Sequence, residues 1–102
     1  KNKNYIVDSI GLLYAVTYPE FVNKLRAHDL TSSEIGFCCL YLLGLNIPEA
    51  GEVIGKVSSV YNVNSSIRKK LNISGANLDK WIAKCFAGLY PNKNSESTNT
   101  KN

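Results

Sequence analysis

The chain holds no methionine, one histidine, one tryptophan and three prolines among its 102 residues. A lone histidine, His28, leaves no Ser-His-Asp set, and there is no glycine-rich phosphate loop, so no catalytic residue and no enzyme activity are expected. Metal sites need Cys and His at short fixed spacings. The three cysteines, Cys38, Cys39 and Cys85, do not supply them, because two are adjacent inside an apolar run. They are expected to be buried free thiols in a reducing cytosol, with no metal or cofactor. No apolar run nears the ~20 residues of a membrane span. No signal peptide is visible, and a cytoplasmic location without membrane contact is expected. The chain opens at Lys1 in mid-pattern, as an excised piece of a longer protein would, and that protein could be membrane-anchored upstream.

Alternation of the β type, hairpin turn chemistry and internal repeats are also missing. What is present is helical periodicity, with an apolar content of 44% that suits one small domain. Residues 5–16 read as a helix with Ile6, Ile10, Leu13 and Val16 or Tyr14 inward, weakened by Gly11. Thr17, Pro19 and Glu20 look like the capped start of a second helix burying Phe21, Val22 and Leu25 and ending near an exposed His28. Thr31 and Glu34 form a capping-box pattern behind Leu30, opening a central helix with Ile35, Cys38, Cys39, Leu42 and Leu43 inward and Gly44 as its stop.

Asn46, Pro48 and Glu49 begin a short helix over 47–54. Gly51 in its middle is unfavourable unless another helix lies close against it. Gly55 turns the chain into a longer helix, 58–71, whose stripe is Val60, Val63, Ile67 and Leu71. A break at Ser74-Gly75 precedes a last helix from about Asn77, with Leu78, Trp81 or Ile82, Cys85 and Leu89 in its stripe. The expected core is Ile35, Cys38, Leu42, Val53, Ile54, Val60, Ile67, Leu71, Trp81 and Cys85.

Charge is uneven along the chain. Residues 1–50 carry four Lys or Arg against five Asp or Glu, whereas 51–102 carry eight against three. Within 56–84, Lys56, Arg68, Lys69, Lys70, Lys80 and Lys84 face Asp79 alone. A basic half beside a near-neutral half suggests a surface for a polyanion.

"LTSSE" at 30–34, Gly44-Leu45, Glu49, Val60, Ile67 and Lys70-Leu71 together resemble the frame of LuxR-type helix-turn-helix domains. The frame runs L-T-x-x-E, then G-L, then V-x6-I-x2-K-L, and covers about residues 30–89. "PEFVNKLRAHDLTSSE" resembles the lead-in to this domain in bacterial one-chain regulators that carry repeats upstream. Val60 comes one residue earlier than in the usual pattern, and Tyr61-Asn62-Val63-Asn64 is less cationic than the family's base-facing stretch.

The resemblance implies an all-α fold with a central helix-turn-helix of the LuxR, winged-helix-like class, preceded by one or two helices. It marks off a lead-in (1–29) and the DNA-binding domain (30–90), and the remainder (91–102), polar and without an apolar anchor, is expected to be a mobile tail. The expected function is sequence-specific binding of double-stranded DNA as the output domain of a bacterial transcriptional regulator. Tyr61, Asn62, Asn64 and Ser65 are the candidate base-reading residues, and Lys56, Ser58, Ser59, Arg68, Lys69 and Lys70 the candidate phosphate contacts. A homodimer through residues 77–89 or the upstream segment is expected. The alternative is a helical protein-interaction module on a degenerate helix-turn-helix.

Overall fold

A computed structural model describes residues 4–73 and 77–91. The expected break at Ser74-Gly75 and the tail beyond Pro91 lie outside them. The described residues form six helices and no strand: α1 (Asn4–Thr17), α2 (Pro19–Ala27), α3 (Ser32–Leu42), α4 (Ile47–Ile54), α5 (Val57–Leu71) and α6 (Leu78–Leu89). They pack into one small all-helical domain.

The helix boundaries follow local chemistry. Thr31 and Glu34 close a reciprocal capping box at the start of α3, and Asn46 and Glu49 do the same for α4. Gly44 and Gly55 end α3 and α4 with φ of +91° and +94°, a region that glycine enters without a steric penalty. Asn72 ends α5 in the same left-handed region, so the helix stops at Leu71 as expected.

Thr17 departs from expectation. It does not cap α2 but closes α1, its hydroxyl donating to the Leu13 carbonyl at 2.8 Å. Glu20, freed from that role, accepts a hydrogen bond from the Tyr90 hydroxyl at 2.6 Å, and the same hydroxyl accepts from the Phe21 amide at 3.3 Å. Tyr90 thereby ties the end of α6 to the start of α2. Around it Tyr18, Phe21 and Phe86 meet edge to face, with Tyr18 and Phe86 ring centroids 4.8 Å apart.

α3 is the centre. Ile35, Phe37, Cys38, Cys39 and Leu40 are all buried, so nearly its whole circumference is covered. α1 lies along one side of it, where Gly11 and Gly36 face each other. A Cβ on Gly36 would collide with the Val7 carbonyl and sit 2.7 Å from Val7 Cγ1. This contact selects the buried face of α1, which is Val7 with Ile10, Tyr14 and Ala15 beside it. Ile6 and Leu13, expected inward, point to solvent, and of the alternatives Val16 and Tyr14 it is Tyr14 that packs inward.

The remaining core is Phe21, Val22, Leu25, Leu30, Ala50, Val60, Ile67, Leu71, Leu78 and Ile82. It is continuous across residue 29. Leu42, Val53, Ile54, Trp81 and Cys85, expected as core, are partly buried at its margin, and Leu43 is exposed. α3 exceeds one stripe because neighbours cover both its sides, and that moves the burial to Phe37 and Leu40. His28 is half-buried, its ring edge-on to Trp81 at 5.9 Å.

Candidate nucleic-acid interface

α4 and α5 are joined by Gly55 and Lys56 alone. They meet where Gly51 faces Val57: a Cβ on Gly51 would lie 2.6 Å from Val57 Cγ2 and 3.0 Å from Val57 Cα. The glycine in mid-helix therefore allows the two axes to approach, as anticipated from its unfavourable position.

α5 has four distinct sides. Val60, Ile67 and Leu71 are buried. Ser58, Asn62, Ser65 and Lys69, at i, i+4, i+7 and i+11, form a solvent-facing strip opposite them. Of the candidate base readers, Asn62 and Ser65 stand on this strip, with Tyr61 at its edge and 57% exposed. Of the candidate phosphate contacts, Lys56, Ser58 and Lys69 are exposed, and Ser59 and Arg68 are half-buried on opposite shoulders.

Tyr61, Asn64 and Arg68 line one shoulder, a groove of about 570 Å³ bounded by Tyr41, Pro48 and Asp79. Asn64 thus faces the groove, and its Oδ1 is buried without a hydrogen-bond partner among the described residues. Burial, with Asp79 next, pushes the Tyr41 phenol up to about 12, so it stays protonated at neutral pH.

The other shoulder is spent on the core. Lys70 Nζ lies 2.8 Å from Glu34 Oε1, and Ser66 Oγ donates to Glu34 Oε2 at 2.6 Å. Glu34 also accepts from the Thr31 amide at 2.8 Å while completing the α3 capping box. Burial works against its charge, but the bonds from Lys70, Ser66 and Thr31 outweigh it and hold the carboxyl below its ordinary value. Ser66 was missed in the sequence reading. The i, i+4 pairing of Ser66 with Lys70 was the available signal for a shared target.

α5 begins at Lys56 without a side-chain cap, unlike α3 and α4. Its first-turn amides and the exposed Lys56 and Ser58 offer donors and positive potential at one end of the strip. On α6, within the span expected to pair, Leu78 and Ile82 are buried, and Phe86 and Leu89 pack against the core. No helix among the described residues is long and apolar enough to cross a membrane. The chain matches no family model, no curated protein and no solved structure.

Proposed function

We propose that α4 and α5 act as a helix-turn-helix and that the chain binds double-stranded DNA sequence-specifically, as the cytoplasmic output domain of a bacterial transcriptional regulator. One observation carries this reading. α5 keeps a polar strip, Ser58-Asn62-Ser65-Lys69, exposed while its opposite side is locked into the core. A helix about 10–12 Å across fits a major groove about 12 Å wide.

In this reading Asn62 reads a base edge, with Tyr61 and Ser65 beside it and Asn64 on the flank. Asparagine pairs bidentately with adenine, and serine accepts several partners. Lys56, Ser58, Ser59, Arg68 and Lys69 position the helix on phosphates. Lys70, held by Glu34, contributes less than its charge suggests. That engagement also favours the second reading, a protein-interaction module, because it ties up one of the basic residues expected to meet phosphates.

Anisotropy titration with a pool of random duplexes at two salt concentrations separates the readings. Phosphate contacts lower log K with log salt by about 0.9 per contact, and protein contacts need not. Asn62→Ala is expected to relax preference at one base pair, by ~1–3 kcal/mol on the best site, and to leave random duplex little changed. Absence of duplex affinity at low salt, even in a fused dimer, ends the DNA reading and leaves the interaction module.

A further inference from the structure

α1 has two apolar faces, and the other described helices pack against one of them. Val7, Ile10, Gly11 and Tyr14 turn to α3. On the other side Tyr5, Leu12, Leu13 and Val16 are 68%, 67%, 62% and 82% exposed, with Ile6 at 45%. At 100° per residue these five and Ser9 fall on one continuous face. Monomeric soluble proteins seldom leave such a stripe open to water.

We propose that this face pairs α1 with α1 of a second copy of the chain. Three observations name that occupant. First, the stripe itself carries no charge: Asp8 and Arg26 lie at its edge, in the groove they share with Leu12, and Asp8 accepts a hydrogen bond from Ser33 at 3.2 Å. A two-fold interface brings every group near its own copy, so a stripe without charge is compatible with itself. Second, the spacing is right for helix pairing. Ile6, Ser9, Leu13 and Val16 alternate by three and four residues, the seam of two packed helices, and Tyr5 and Leu12 flank it. Ser9 is small, and at the centre of the face it lets a second axis come close. Third, the open surface of the five apolar residues is on the order of 600 Å² per copy, so its full burial in two copies reaches about 1,200 Å², the lower end of the range for specific interfaces.

The pairing does not depend on DNA binding, and it is tested without nucleic acid. The 102-residue chain, kept reduced, is sedimented from dilute to near-millimolar concentration, beside the L12E/V16E variant. Both substituted side chains are already in water, so the variant's helicity and melting curve are expected to match wild type; if they do not, L12S/V16S carries the same comparison. The expected result is a twofold mass for wild type at high concentration, insensitive to salt, and a monomer for the variant. A wild type that stays monomeric overturns the proposal, as does a variant that still dimerises. So does a monomer in solution that partitions onto neutral phosphatidylcholine vesicles, which would make the face a lipid contact. Failure here leaves the duplex titration untouched, and failure of that titration leaves the pairing standing.

Discussion

Lys70 Nζ and Glu34 Oε1 lie 2.8 Å apart, joining the last turn of α5 to the first turn of α3. Glu34 is 8% exposed and takes three donors, so loss of the lysine leaves a largely buried carboxylate with one charged donor fewer. Lys70→Ala is therefore expected to destabilise the fold by about 1–3 kcal/mol, read from urea unfolding at neutral pH.

The acid limb of stability carries the same signature. The folded-state Glu34 carboxyl titrates below its ordinary 4.5, so its contribution is complete above that value and is lost as pH falls through the lowered one. In Lys70→Ala burial is no longer outweighed as fully, and the loss is expected to begin at higher pH. Identical pH profiles for the two chains, scaled only in height, would show that the pair does not govern this limb.

The glycines rank by what faces them. Gly36→Ala meets the Val7 backbone, which cannot yield as a side chain can, and is expected to cost ~1–3 kcal/mol or more. Gly51→Ala meets mainly the Val57 side chain and should cost less, with Gly51→Leu worse. Gly88→Ala meets nothing within 4 Å inside α6 and should stabilise by up to ~1 kcal/mol through helix propensity. Melting temperatures in the order Gly88→Ala, wild type, Gly51→Ala, Gly36→Ala check the series.

Thiol reactivity should divide the cysteines. Burial pushes Cys39 up to about 12 and Cys38 higher still, so neither offers thiolate in the native fold. Burial raises Cys85 too, with Lys24 pulling it back, and its side chain is only partly covered. A disulfide reagent in mildly alkaline buffer is expected to label Cys85 alone, and Cys38 and Cys39 only after urea is added. Mass spectrometry of the native product gives the answer directly.

Two neighbouring lysines of α5 should separate stability from binding. Lys69 stands on the outer strip and Lys70 on the core-facing shoulder. Lys69→Ala is expected to leave the melting curve unchanged and to lower the salt slope of duplex binding by about one. Lys70→Ala should lower the melting temperature with a smaller change in slope. The reverse pattern would remove the outer strip as the DNA-facing surface.

The helix count, the capping boxes of α3 and α4 and the glycine stops were all legible in the sequence. Each rests on residues within four positions of one another, and the backbone brings such residues together whatever the rest of the chain does. The side of α5 that enters the core was legible for the same reason, because its other faces are polar. α1 was not, since both its faces are apolar and periodicity cannot choose between them. The choice is made by Gly36, which lets Val7 and Gly11 close on α3 and leaves Leu13 and Val16 outside. Glu20 had the spacing of a cap to Thr17, yet it is drawn to Tyr90, 70 residues along the chain. Lys70 carried the same formal charge as Lys69, and only the approach of α5 to the start of α3 gave it to Glu34. Local spacing determined where the helices begin and end; which face each buries, and which cations remain on the surface, depended on contacts that exist only after distant segments have packed.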